Sequence, residues 1–152
     1  MPLPRPTLSL KGRALRLLSG REHSRAELER KLAAHEEEPG QLARVLDDLQ
    51  ARDFINEQRV VDSVVHRRSG KLGALRIRQE LQAKGLDNDK VQEAVALLKS
   101  TELERARDVW RRKFDALPAD VAERGKQARF LGGRGFDGEV IRRVLSGARE
   151  ED

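Results

Sequence analysis

Leu81-Gln82-Ala83-Lys84-Gly85-Leu86-Asp87 and, fifty residues further on, Leu131-Gly132-Gly133-Arg134-Gly135-Phe136-Asp137 spell the same local event twice. An apolar residue closes one helix, a cation and a glycine turn the chain, and an apolar-Asp pair opens the next. Glycine enters the left-handed conformation that ends a helix at little steric cost. Aspartate is a strong N-cap because its carboxylate accepts from the free N–H groups of the first turn. At the same offset Val91 matches Ile141, Val95 matches Leu145, Val60 matches Trp110 and Val64 matches Phe114. An offset of 49 carries the pattern back to the first third, where Leu28, Leu32, Leu42, Leu46 and Leu49 match Ile77, Leu81, Val91, Val95 and Leu98. The leading helices of the first two units fit at 46, with Ala14, Leu15 and Leu18 over Val60, Val61 and Val64. Three copies of one three-helix unit account for these matches most simply.

Working outward from the turns, apolar residues at i, i+3 and i+4 predict nine helices. They cover roughly residues 9–19, 24–35, 39–52, 56–69, 73–84, 88–99, 102–117, 119–132 and 137–147. Ser24-Arg25-Ala26-Glu27 and Thr101-Glu102-Leu103-Glu104 have the form of capping boxes. Of five prolines, three sit in the first six residues, so few breakers remain elsewhere. With no tyrosine and few β-branched residues, the chain reads as all-α. A unit of about fifty residues buries only a small core alone, so neighbours must share surfaces. The expected fold is an elongated array of three tandem three-helix repeats resembling helix-turn-helix modules, with a single compact nine-helix bundle as the alternative. The expected divisions are a flexible arm at 1–8, repeats at 9–55, 56–100 and 101–148, and an acidic tail at 149–152.

Charge narrows the partners. The net charge is +5, and the stretch His66–Leu86 alone holds Arg67, Arg68, Lys71, Arg76, Arg78 and Lys84 against Glu80. A second concentration contains Arg129, Arg134, Arg142 and Arg143. Acid gathers elsewhere, at Glu36-Glu37-Glu38 and Asp47-Asp48. Any one of these cations ordinarily solvates a helix face, but so few acids among the first six favour a functional patch facing an acidic partner. Phosphate contact with single- or double-stranded DNA fits this pattern. Base reading does not, because the chain has two asparagines and five aromatics. Phe54, Trp110, Phe114, Phe130 and Phe136 all fall on apolar stripes or helix junctions, which reads as core rather than as a stacking platform.

Catalysis finds little support. There is no cysteine, and His23, His35 and His66 lack metal-ligand spacing; each lies near a helix end and reads as a cap or surface residue. Gly132-Gly133-Arg134-Gly135 follows no strand and reads as a helix terminus plus turn rather than a phosphate loop. No catalytic residue, metal or cofactor is therefore expected. No apolar run approaches the ~20 residues of a membrane span, and a cytoplasmic monomer is expected.

Several stretches together resemble the RecX regulatory family. They are Ala14-Leu15, Ser24-Arg25-Ala26-Glu27-Leu28, Phe54-Ile55-Asn56, Arg76-Ile77-Arg78-Gln79-Glu80-Leu81, Lys84-Gly85-Leu86, Arg129-Phe130-Leu131 and Arg134-Gly135-Phe136. The likeness runs from Leu10 to about Leu145, with motifs in the family's order. Asn56-Glu57-Gln58-Arg59 departs from it, since the family commonly has an Asn-Asp pair before its basic residue. The resemblance implies a bacterial, cytoplasmic, non-enzymatic modulator of the RecA recombinase, in homologous recombination and the SOS response. It implies binding in the helical groove of the RecA–DNA filament and inhibition of strand exchange, ATP hydrolysis and co-protease action. Arg67, Arg68, Lys71, Arg76, Arg78 and Lys84 are then the expected first contact, and Arg129, Arg134, Arg142 and Arg143 the second. A plain helical-repeat DNA binder acting through phosphates, without RecA, is the alternative.

Overall fold

The computed structural model describes residues 8–147, so the expected arm (apart from Leu8) and the acidic tail lie outside the described residues. Every regular element described is helical: α1 Leu10–Gly20, α2 Arg25–Leu32, α3 Gln41–Ala51, α4 Glu57–Arg68, α5 Ala74–Ala83, α6 Asn88–Ser100, α7 Glu102–Lys113, α8 Val121–Gly133 and α9 Gly138–Leu145. A 3-10 turn, Ala33–His35, extends α2. The order gives three three-helix sets in tandem.

The chain forms two compact units. Among the described residues, one comprises 8–60 together with Lys84–Leu86, and the other Val61–Ala83 with 87–147. The first is built on Leu10, Ala14, Leu28, Leu32, Leu42, Leu46, Leu49 and Ile55, all buried. In the second, Leu103, Ala106, Val109, Leu131, Phe136, Val144 and Leu145 form a core of their own. Ile77, Leu81, Val91, Val95 and Leu98 are buried as the repeat requires.

Local chemistry sets the boundaries. Ser24 makes the full capping box, its hydroxyl accepting from the Glu27 N–H while Glu27 accepts from the Ser24 N–H. Asp87 and Asp137 cap α6 and α9 through the N–H groups of Asp89 and Glu139. Gly85 and Gly135 take positive φ, 70° and 92°. Asn56 opens α4 by accepting from the Arg59 N–H at 3.0 Å.

Three expectations fail. Thr101 makes no side-chain cap; its hydroxyl donates to the Leu98 carbonyl and accepts from Arg105 Nε. Only Thr101 separates α6 from α7, so the hydroxyl is drawn back to the preceding helix end. Second, α7 stops at Lys113 rather than 117, because Phe114 turns extended and packs edge-on against Phe130 at 5.4 Å. Third, the leading helices do not keep the fifty-residue register. Arg68 and Lys113, the last residues of α4 and α7, are 45 apart. Val64 is buried within α4, whereas Phe114 lies past the end of α7. The long Phe114–Asp120 connection restores the offset before α8 ends.

Candidate polyanion-binding groove

Every residue of the candidate site lies in the second unit, whose inner joints hold its walls. α5 begins on groups supplied by later helices. The Gly73 N–H donates to the Arg134 carbonyl at 2.8 Å and the Leu75 N–H to the Gly135 carbonyl at 3.2 Å. The Ala74 N–H is taken by the buried Glu102 carboxylate at 3.0 Å. These bonds satisfy the N–H groups that any helix start leaves open. Arg105 closes the other side of the joint. Its guanidinium donates to the Ser69 and Leu72 carbonyls, at 2.9 and 2.8 Å, and to the Leu98 carbonyl at 2.9 Å. Burial pulls the Arg105 pKa below its ordinary value, opposed by nearby Glu102.

With the α4–α5 turn, α7 and the end of α8 fixed in this way, a groove of about 530 Å³ opens among them. Its lining holds Arg67 from the end of α4, Lys71 from the turn after it, Arg112 and Lys113 from α7, and Arg134 from the end of α8, with His66, Gly70, Val109 and Phe130. No carboxylate belongs to that lining. Phe130 sits beneath two of the cations, with the Arg134 guanidinium 5.0 Å and the Lys113 ammonium 5.7 Å from its ring centre. Such stacking orders flexible cations without cancelling their charge. The Arg112 guanidinium is tethered to the Gly70 carbonyl. The result is five positive groups around one concavity, an arrangement that focuses a positive potential there.

Of the ten cations singled out in the sequence, Arg67, Lys71 and Arg134 meet here, joining members of both expected contacts in one groove. The other seven do not line it. Arg68 pairs with Glu80 at 3.1 Å. Arg76 donates to the Gly133 carbonyl at 2.6 Å and so braces the joint. Arg78 lines a smaller groove of about 120 Å³ beside Leu75 and Lys99. Lys84 is folded into the first unit with its ammonium 3.3 Å from Glu27 and its side chain only 13% exposed. Arg142 pairs with Glu139, and Arg129 and Arg143 stand elsewhere on α8 and α9. Sequence reasoning missed Arg112 and Lys113. Their signal is the run Arg111-Arg112-Lys113, which falls outside both concentrations of positive charge, His66–Leu86 and Arg129–Arg143.

Two other side chains depart from expectation. His23 is buried, not a surface residue, with Nδ1 3.0 Å from the Arg21 carbonyl and Nε2 3.3 Å from the Lys31 ammonium. Phe54 is 47% exposed, unlike Phe136, which is buried. No group of three His, Cys, Asp or Glu among the described residues could hold a metal ion, and no described helix is long and apolar enough to cross a membrane.

The chain is similar to known proteins along most of its length. Models of the first, second and third three-helix domains of RecX match residues 11–49, 56–95 and 100–145. A regulatory protein RecX of Leptothrix cholodnii is 56% identical over 147 residues, covering 97% of this chain and 94% of the relative. One from Ralstonia nicotianae is 48% identical over 148 residues, covering 97% and 93%. The crystal structure of RecX from Lactobacillus salivarius superposes with a TM-score of 0.74 at 21% identity, over 91% of this chain and 93% of that one, and shows the common fold. With three domain models matched in order along the chain, and relatives this similar over nearly its full length, the protein belongs to the RecX family of regulatory proteins.

Proposed function

We propose that this protein is a cytoplasmic, monomeric, non-enzymatic regulator that binds the RecA–DNA filament in its helical groove. There it inhibits strand exchange, ATP hydrolysis and co-protease activity. The observation that carries the reading is the groove of Arg67, Lys71, Arg112, Lys113 and Arg134 without an opposing carboxylate, in a chain that belongs to the RecX family. Five clustered cations suit a surface built of DNA phosphate and protein acid, where charge rather than base identity is read. Within the second unit, the third three-helix set contributes Arg112, Lys113 and Arg134 beside Arg67 and Lys71 of the second set. In this reading one molecule bridges neighbouring protomers and locks their relative rotation, so that the filament neither extends nor cycles ATP normally.

The test is RecA ATPase on single-stranded DNA, titrated with this protein, beside its binding to the same DNA alone. Loss of ATPase below one protein per RecA protomer, with weak binding to bare DNA, is the expected result. Unchanged ATPase with tight, steeply salt-dependent DNA binding would replace this reading with that of a simple phosphate-binding repeat protein.

A further inference from the structure

The opposite side of α7 carries a second concavity that shares no lining residue with the basic groove. It measures about 330 Å³ and is lined by Arg107, Trp110, Arg111, Leu117, Val144 and Gly147. We propose that it is a docking site for a peptide segment of a partner protein that places a carboxylate beside aliphatic side chains.

The first support is an orphaned donor. Arg107 Nη2 is buried yet has no hydrogen-bond partner, which makes it an exception among the described residues. Buried guanidinium nitrogens are almost always paired, since their desolvation is otherwise uncompensated. An oxyanion entering the groove would supply the missing acceptor. The second support is the composition of the walls. Trp110, Leu117 and Val144 offer apolar surface, and Leu117 remains 47% exposed despite packing near Gly147. Trp110 is held in place by its Nε1 donating to Gln127 at 2.8 Å, so the wall is preformed. The third is the charge count. Besides Arg107 the groove has only Arg111, which already shares Nη1 with Asp108 at 3.1 Å. A nucleic-acid backbone needs a succession of cations, as the basic groove provides. One half-buried arginine with an unpaired Nη2 between apolar walls instead fits a single carboxylate on an aliphatic peptide.

Trp110 is the single tryptophan, so its fluorescence reports on this groove. The full chain is titrated with the peptide acetyl-Leu-Glu-Leu-Glu-Leu-amide and with its counterpart carrying Gln in place of Glu. A saturable change in emission with the Glu peptide is expected, at least tenfold weaker with the Gln peptide and at least tenfold weaker in Arg107→Met. Leu117→Asp, which sets a negative charge on the exposed wall without touching the buried donor, should weaken it similarly should Arg107→Met fail to fold. The absence of any saturable change up to millimolar peptide, an equal response to both peptides, or an undiminished response in both variants would overturn the proposal. So would displacement of the Glu peptide by a thymidine oligonucleotide, which would reassign the groove to nucleic acid.

Discussion

The Gly73 N–H and the Arg134 carbonyl lie 2.8 Å apart, so the start of α5 is hydrogen-bonded to the turn that ends α8. The first unit contains a counterpart, in which the Ser24 hydroxyl at the start of α2 donates to the Lys84 carbonyl at 2.6 Å. In both, a cation-glycine turn rests on the N-terminus of the middle helix of a three-helix set. The repeated motif therefore encodes a joint as well as a helix end. Glycine is required for closeness: a Cβ on Gly85 would stand 2.7 Å from the Ala26 Cβ, and one on Gly135 would stand 2.3 Å from the Arg76 side chain.

Gly73→Ala should therefore be among the most damaging small substitutions, because its Cβ would meet the Gly135 carbonyl oxygen at 2.3 Å. Backbone must move to relieve that overlap, and a loss of about 3 kcal/mol or more is expected. Gly133→Ala, where a Cβ meets nothing within 4 Å, should be neutral or stabilising by about 0.5 kcal/mol. Thermal melts of the two variants test the contrast.

Gln127 occupies the position that Leu28 and Ile77 hold in the earlier repeats, and it is equally buried. It accepts from Trp110 Nε1 and donates to the Ala116 carbonyl and to Glu123, at 3.2 and 3.1 Å. Gln127→Leu matches the repeat pattern yet strands the indole N–H and the Ala116 carbonyl. It should cost about 1–3 kcal/mol in urea unfolding. A stabilised variant would show that the network is dispensable.

Acid should weaken the first unit in two stages. Burial pushes the His23 pKa below 6.5, partly opposed by its bond to the Arg21 carbonyl. The unfolded chain thus takes up that proton first, and stability falls as the pH drops below about 6.5. Burial would raise the Glu27 carboxyl, but Arg21, the Ser24 N–H and Lys84 outweigh it and hold it at about 2. Its contribution, on the order of 2–3 kcal/mol, is present above the ordinary value near 4.5 and is lost as the pH falls from there toward 2. Unfolding free energy measured across pH 3–7 tests both stages. Glu27→Gln should shrink the lower one, leaving the part due to Asp48 and Asp53, whose carboxyls are also held below their ordinary values by Lys11 and by Asn56 and Arg59. His23→Gln should remove the upper.

Much of the fold could be read from the sequence because its signals are local. Gly85, Gly135, Asp87, Asp137 and Ser24 each announce a helix end through their own backbone or side-chain chemistry. The candidate groove was legible only in part. Arg67, Lys71 and Arg134 stood in visible runs of charge, but what brings them together is a joint between residues sixty positions apart. Lys84 looked equivalent to its neighbours in the sequence, and only the fold shows its ammonium committed to Glu27. Arg112 and Lys113 belong to the groove because α7 ends early at Phe114, a boundary set by the Phe114–Phe130 contact rather than by any cap.

If the second unit's groove is the surface that engages the filament, reversing its charge must weaken inhibition. The direct measurement is inhibition of RecA ATPase by the triple variant Arg67→Glu, Lys71→Glu, Arg134→Glu, with helical content checked by circular dichroism. A surface reversal of Arg129, Arg142 and Arg143 serves as the comparison. The groove variant should need at least tenfold more protein for half-inhibition, since three reversed contacts at about 0.5–1 kcal/mol each compound, while the comparison variant stays within about threefold of the parent. A correctly folded groove variant that inhibits as well as the parent would contradict it.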